Sequence, residues 1–315
     1  MALSHRLQQR SCLLQAVRSF FLAREYLEVD TPVLLPELIP ESQIVPFCCE
    51  ERFLQTSPEL CMKLLLAGGY ARLFQICHCF RKEELGRYHR PEFTMLEWYH
   101  VGWGYLELME EVEELFLFLA REPDRFPALD RNMRLSRGGH SIDLTPPWER
   151  MTVEAAFRRF AGTSARAAIA DNRFDEILVN RVEPRLGRHR PVFLYDYPVE
   201  LGSLARRKEH DAACAERFEL YIGGIELANG FSELVDPGEQ RIRFAAELEV
   251  MEAAGRPAAM PERFLRALAA MPDTAGIALG FDRLLMLLAG ADRIVDVLPV
   301  VFEELFVGQQ GQEIR

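Results

Sequence analysis

Two β-type segments, Arg72 to Phe80 and Phe93 to Tyr99, flank a loop crowded with charge, Arg81-Lys82-Glu83-Glu84-Leu85-Gly86-Arg87-Tyr88-His89-Arg90-Pro91. Segments of this kind joined by a polar loop read as an antiparallel pair. Along the second, side-chain alternation sends Phe93, Met95, Glu97 and Tyr99 one way and Thr94, Leu96 and Trp98 the other. One sheet face thus carries a carboxylate and a phenol. The loop beside it sets Arg81, Arg87, His89 and Arg90 next to Glu83 and Glu84, an arrangement suited to a polyanion plus a base amine. Taken separately, a strand with a solvated polar face and a solvated charge run would show the same residues.

The flanking sequence narrows the choice. Apolar residues at Leu13, Ala16, Val17, Phe20 and Phe21 predict an amphipathic helix from Leu7 to Arg24. It runs into a short β-type stretch, Tyr26 to Thr31, stopped by Pro32. A helix rich in Leu, Met and Glu is predicted from Tyr105 to Ala120. The stretch from there to Pro191 is rich in Arg, Pro and Gly and carries little functional signal, with His140 and His189 read as surface residues.

Glu216 to Glu233 reads as a second hairpin turning at Gly223-Gly224. A two-residue turn sets Ile222 opposite Ile225, Tyr221 opposite Glu226 and Glu219 opposite Ala228. Glu219, Tyr221 and Glu226 then share a face, the two carboxylates being diagonal neighbours about 7–8 Å apart at the backbone. An exposed hairpin face would look alike, but two such close charges call for a cation, and oxygen ligands in small number suit magnesium shared with phosphates. Farther on, Gly276-Ile277-Ala278-Leu279-Gly280 leads into Asp282 to Leu288, a strand turning into a helix whose first turn would offer amides and Arg283 to a nucleotide.

Composition excludes several classes. The chain has 315 residues, 49% of them hydrophobic, enough for a large core. No apolar run approaches the roughly 18 residues of a membrane span, and the N-terminal residues lack a signal peptide's hydrophobic centre, so a cytoplasmic protein is expected. With 37 basic and 48 acidic side chains and a formal charge of −11, a broad nucleic-acid-coating surface is disfavoured. Seven cysteines, with Cys48-Cys49 and Cys77-His78-Cys79 lacking two-residue gaps, read as free thiols.

Together these segments resemble the three signature motifs of class II aminoacyl-tRNA synthetases, in order. The first helix, its strand and Pro32 resemble the first motif, Phe80-Arg81-Lys82-Glu83 through Phe93 and Glu97 the second, and Gly280-Phe281-Asp282-Arg283 the third. Ser57-Pro58-Glu59, Arg90 through Tyr99, and Gly224 through Leu234 are similar to the lysine-specific branch. The implied fold is α+β, an antiparallel sheet flanked by helices, as one catalytic domain over residues 1–307 with a polar tail at 308–315. The lysine synthetases carry an anticodon-binding barrel ahead of the first motif, and here that motif's helix starts within the first ten residues. The resemblance is therefore to their truncated paralogues, which attach a lysine-type amino acid, (R)-β-lysine, to a lysine side chain of elongation factor P. Ser57 and Ala278 follow the paralogue pattern, whereas Arg90 stands where asparagine is usual.

The resemblance also implies roles. Arg81 would bridge the amino acid's carboxylate and the ATP α-phosphate, acting with Arg283 as the catalytic pair. Lys82, Glu83, His89, Arg90, Phe93, Leu227 and Gly280 would complete the ATP site, with Phe93 and Arg283 stacking on the adenine. Glu219 and Glu226 would hold Mg2+. Ser57, Pro58 and Glu59 would receive the amino group near the carboxylate, and Glu233 and Tyr99 the distal ammonium, with Glu97, Asn229 and Ala278 completing the wall. The expected assembly is a homodimer with no membrane association and no dependence on tRNA. A catalytic-domain-only lysyl-tRNA synthetase and an inactive paralogue serving as a regulatory subunit are the alternatives.

Overall fold

The computed structural model describes residues 3–121, 126–256 and 258–300. The expected tail at 308–315 lies outside the described residues. The chain is built on a central sheet of nine strands: β1 (Leu27–Glu28), β2 (Arg72–Phe80), β3 (Glu92–Val101), β4 (Glu149–Thr152), β5 (Val192–Pro198), β6 (Arg207–Lys208), β7 (Asp211–Ile222), β8 (Ile225–Ser232) and β9 (Thr274–Gly280). Their spatial order is β1-β2-β3-β9-β8-β7-β5-β4, with β6 added to β7. The β1–β2 and β4–β5 pairs are parallel and the others antiparallel.

The helices are α1 (Leu3–Leu22), α2 (Glu59–Ala67), α3 (Tyr105–Leu119), α4 (Val153–Ala161), α5 (Ala165–Ala170), α6 (Phe174–Ile177), α7 (Pro237–Ala253), α8 (Glu262–Leu268) and α9 (Phe281–Leu288). Two small sheets sit outside the central one, formed by Leu34–Leu35, Cys48–Cys49 and Arg52–Leu54, and by Arg134–Arg137 and His140–Asp143.

Sheet alternation divides the molecule into a structural and a chemical side. Ile76, Leu96, Leu279, Ala228, Leu220 and Phe193 form one cross-strand row. They pack into the main core with Leu13, Val17 and Phe21 of α1, Leu108, Val112 and Phe116 of α3, and Leu284 and Leu288 of α9. The Phe21 ring stacks on Phe74 at 5.0 Å and meets Trp98 at 5.0 Å. Buried Glu111 of α3 accepts from Tyr26 Oη at 2.9 Å and Trp98 Nε1 at 2.8 Å, joining helix and sheet. Unpaired, that carboxylate would be costly at such depth.

The adjacent row, one residue over on each strand, is Gln75, Glu97, Ala278, Asn229 and Glu219. By alternation it faces away from the main core. The predicted antiparallel pair and its connecting loop are present with Cys79 opposite Phe93 and Gln75 opposite Glu97. Gly223 and Gly224 both adopt positive φ, 64° and 76°, as the two-residue hairpin turn demands.

The hairpin register departs from the expected one. Tyr221 faces Glu226, but Leu220 faces Ala228 and Glu219 faces Asn229, leaving Leu227 as an extra residue on β8. This β-bulge corrects the expected Glu219–Ala228 pairing. In a regular strand Glu226 and Asn229, three residues apart, would point to opposite faces. The bulge brings both to the chemical side and turns Leu227 into the core, where it is 1% exposed.

Candidate active site

Two cavities open on the chemical face and share a wall. The smaller, about 130 Å3, is bounded by the charged loop, β3, the bulge of β8 and the β9–α9 turn. It brings together His89, Arg90, Phe93, Leu227, Gly280 and Arg283. The larger, about 460 Å3, contains Ser57, Glu59, Glu97, Tyr99, Glu219 and Gly276. Arg81, Met95, Glu226, Asn229 and Ala278 line both. Lys82 and Glu83 are exposed on the loop and line neither, and Glu84 is the loop acid that turns inward.

The smaller cavity is organised by Asp282. Its Oδ2 accepts from the Thr94 amide at 2.7 Å, and its Oδ1 lies 2.5 Å from Arg10 Nη1, tying α9 to β3 and α1. With the start of α9 fixed, Arg283 reaches across the opening. It donates to the Glu226 carbonyl at 2.8 Å, the Tyr88 carbonyl at 3.2 Å and His89 Nε2 at 2.6 Å. Burial and the neighbouring guanidinium both lower the His89 pKa, keeping the ring neutral and able to accept. Across the cavity, the Arg81 guanidinium lies 5.3 Å from the centre of Phe93 and 3.1 Å from Glu84. Arginine planes and an aromatic ring around one slot suit a flat base and its phosphates.

The larger cavity is acidic at its floor. Ser57 Oγ donates to Glu97 Oε2 at 2.7 Å and accepts from the Glu59 amide at 3.0 Å, while Pro58 occupies the N-cap position of α2. Tyr99 Oη donates to Glu97 Oε1 at 2.6 Å. Glu233 lies behind Tyr99, fully buried, with Oε2 2.5 Å from Lys63 Nζ and Oε1 lacking a hydrogen-bond partner. That free oxygen faces Gly276, where an added Cβ would lie 2.6 Å from it and also overlap the Tyr99 ring. Gly276 is therefore a close-approach position: only without a side chain there can the Tyr99 ring and the Glu233 carboxylate pack against the β9 backbone beside the cavity.

Burial sets the protonation of this floor. The Glu97 carboxyl is pushed up to about 8 by burial, with Glu59 adding to the effect. Glu233 is pushed up to about 8, chiefly by burial, against the pull of Lys63. Glu41, on the segment over the cavity mouth, rises to about 7, mainly from burial and then from Glu59. Acids whose folded pKa exceeds the unfolded value stabilise the fold at low pH and lose that contribution as pH rises through the folded pKa. The ligand-free protein should therefore melt roughly 5–10 °C lower near pH 9 than near pH 6, and an amino acid bearing two ammonium groups should remove much of the difference. Calorimetry at both pH values, with and without the amino acid, checks this; an equal melting temperature in the ligand-free protein would contradict it.

The carboxylates assigned to a cation sit where the cavities meet. Glu219 is engaged at both oxygens, by Arg217 at 2.7 Å and by Tyr221 Oη at 2.7 Å. Its pKa is raised, first by burial and also by Glu226. Glu226 is 40% exposed and faces both cavities, with only a 3.4 Å contact to Arg283. Glu226, open on the shared wall, and Glu219 beside it in the larger cavity are oxygen donors that fit a hard cation taking its remaining ligands from phosphates.

Several residues here escaped sequence reasoning. Arg217 holds Asn229 Oδ1 at 3.0 Å as well as Glu219, its guanidinium packed 4.5 Å from the Tyr197 ring. Phe174, Asp175 and Leu178 supply one wall of the larger cavity, and Glu183 Oε1 lies 3.2 Å from Tyr221 Oη. The stretch between Ala120 and Pro191, which carries little functional signal in the sequence, thus supplies residues to the cavity wall. His140 and His189 are exposed, as expected. All seven cysteines are free thiols. Among the described residues, no helix is long and apolar enough to cross a membrane.

Comparison with known proteins agrees with this architecture. Residues 1–302 match the family described as tRNA synthetases class II (D, K and N). The elongation factor P–(R)-β-lysine ligase of Edwardsiella ictaluri is 39% identical over 310 residues, covering 93% of both chains. Its namesake in Salmonella gallinarum is 39% identical over 312 residues and that of Proteus mirabilis 37% over 304, each again covering 93% of both chains. Identity of this extent, over a sheet that brings the motif residues to one face, means that the chain belongs to the class II tRNA synthetase family, alongside its elongation factor P–(R)-β-lysine ligases.

Proposed function

We propose that the protein activates a lysine-type amino acid, preferentially (R)-β-lysine, with ATP and transfers it to a lysine side chain of elongation factor P. The observation that carries this reading is the shared wall: Arg81 lines both the slot suited to a nucleotide and the acidic cavity suited to a diamino acid. A carboxylate oxygen of the amino acid attacks the α-phosphorus, the bond to pyrophosphate breaks, and an aminoacyl-adenylate forms. Arg81 holds the attacking carboxylate and the α-phosphate while charge gathers between them. Arg283 and Phe93 enclose the adenine, and neutral His89 stands beside the outer phosphates. Magnesium at Glu226 and Glu219 would neutralise the departing pyrophosphate. The amine of the acceptor lysine then attacks the acyl carbon and AMP leaves, producing an amide.

The acidic floor selects the amino acid. Glu59 and Ser57 receive the amino group near the carboxylate, and the distal ammonium is directed towards Tyr99 and the Glu233 carboxylate behind it. All these groups come from one chain, so activation should proceed without tRNA. Pyrophosphate exchange with ATP, magnesium and (R)-β-lysine alone tests this; a strict requirement for tRNA would favour a tRNA-aminoacylating enzyme.

Ala278 lies in register between Glu97 and Asn229 on the wall common to both cavities. Its methyl occupies space beside the carboxylate end, where α- and β-lysine differ by one carbon in the position of the amino group. Since one methyl in a close-packed pocket changes specificity by roughly 10–200-fold, Ala278→Gly should move relative efficiency towards α-lysine by about tenfold. kcat/KM for both isomers in both proteins is the measurement, and an unchanged ratio removes Ala278 from the choice.

The proposed assembly is a homodimer in the cytoplasm. Leu7 and Leu22 of α1, Leu27 of β1, and Val33 and Leu34 beyond it are all exposed apolar side chains on the first-motif segment. Such a surface favours a twofold partner. Light scattering should give twice the chain mass at micromolar concentration; a monomer would contradict it.

A further inference from the structure

Lys63 stands on α2 one turn after Glu59, with its ammonium 2.5 Å from Glu59 Oε1 and 2.5 Å from Glu233 Oε2. Its side chain is 1% exposed, and the rings of Phe231 and Phe264 lie 5.3 and 5.9 Å from Nζ. A lysine sealed this deeply must be paired to stay charged, and one carboxylate would meet that need. Lys63 has two, and they are the acids assigned to the two ends of the substrate. We propose that Lys63 is a positioning residue for the amino acid: it ties Glu59 to Glu233 as the cation shared between them, and leaves one Glu233 oxygen to the distal ammonium. This rests on the reading of the cavity as a diamino-acid site.

Charge balance gives the arrangement its selectivity. Glu59, Glu97 and Glu233 share one resident ammonium, with burial holding Glu97 and Glu233 up at about 8 in the ligand-free protein; a substrate with two ammonium groups brings the cations that favour the ionised forms of these two, its own carboxylate being met by Arg81. An amino acid with a single amine leaves a buried carboxylate uncompensated. The groups acting on Glu233 are Lys63 and Glu59 from α2 and Glu97 and Tyr99 from β3. Burial pulls the Lys63 pKa down, but Glu233 and Glu59 outweigh it and leave it above the ordinary lysine value. Lys63 in turn lowers that of Glu233, so its removal should raise further the pH at which Glu233 releases its proton.

The test is pyrophosphate exchange from about pH 6 to about pH 9.5 in the wild type, Lys63→Met and Lys63→Gln, with folding followed by melting with and without ATP. Both neutral variants should raise KM for (R)-β-lysine roughly 30-fold or more near pH 7, leave KM for ATP within about twofold, and move the acid limb of kcat/KM for the amino acid up by about one pH unit or more. Folded, active variants with the wild-type acid limb, or with kcat lowered and amino-acid KM unchanged, would overturn the role of Lys63 and leave the functional reading intact. Failure of both variants to fold would assign Lys63 to the scaffold and overturn it equally. A wild type that exchanges pyrophosphate with no lysine isomer would instead remove the functional reading on which the proposal rests.

Discussion

Arg81→Ala should lower amino-acid-dependent pyrophosphate exchange by roughly a thousandfold or more while the protein still folds. Among the described residues Arg81 is the one cationic side chain that lines both cavities, and its fork is the group able to meet a carboxylate and a phosphate together. Its contacts within the fold are few: Glu84 at 3.1 Å and the Thr56 carbonyl at 3.3 Å, beside the Phe93 ring. Loss of the side chain therefore leaves the sheet intact and removes an interaction that strengthens as charge develops at the α-phosphorus. The decrease should fall on kcat more than on either KM, the signature of a contact realised in the transition state. Arg81→Lys should recover little, because a point charge cannot hold both groups in the same plane. Exchange within tenfold of wild type in Arg81→Ala would place the chemistry elsewhere.

Glu233→Gln should reduce kcat/KM for lysine-type amino acids by roughly 100–1,000-fold and leave ATP kinetics nearly unchanged. The substitution keeps the shape of a fully buried side chain, and Lys63 retains Glu59 as its partner, so the fold tolerates it. What disappears is the charge opposing the distal ammonium in a place without water to replace it. The loss should therefore shrink for an analogue whose distal amine is replaced by a methyl group, so that discrimination between the two falls with the activity. Equal losses for both substrates would show that Glu233 supports the cavity without reading the ammonium.

Much of this site was legible because β-strand alternation is a local property. Assigning Glu97 and Tyr99 to one face of β3 needs only the order of side chains, and the strands run as expected on either side of the charged loop. The positive φ angles at Gly223 and Gly224 follow likewise from a two-residue turn. The bulge at Leu227 does not, because nothing in the alternation of Ile225 to Ser232 says where an extra residue is left unpaired. Without it Glu226 and Asn229 fall on opposite faces: alternation sets Glu226 beside Glu219, Asn229 enters the site through the family resemblance, and their common face emerges only from the register.

Other contributions depend on distant segments meeting. Lys63 lies in Lys63-Leu64-Leu65-Leu66, where a lysine ordinarily reaches for solvent, and its burial follows from the approach of Phe231, Glu233 and Phe264. Gly276 reads as one glycine in a strand until the Tyr99 ring and Glu233 are placed against it. Arg217 reads as a charge on a hairpin until the bulge sets Asn229 beside it. Phe174, Asp175 and Leu178 carry no local signature; they reach the cavity because the module spanning β4 to β5 packs against its rim.

The central claim is that the two joined cavities make an amide between a lysine-type acid and a protein amine. Incubating the enzyme with elongation factor P, ATP, magnesium and (R)-β-lysine, followed by mass spectrometry of the intact factor and its peptides, tests this most directly. The account predicts a mass increase equal to one β-lysyl group on a single lysine, dependent on ATP and on Arg81, formed more slowly with α-lysine and without added tRNA. Unmodified elongation factor P, together with a charged lysine tRNA under the same conditions, would contradict it.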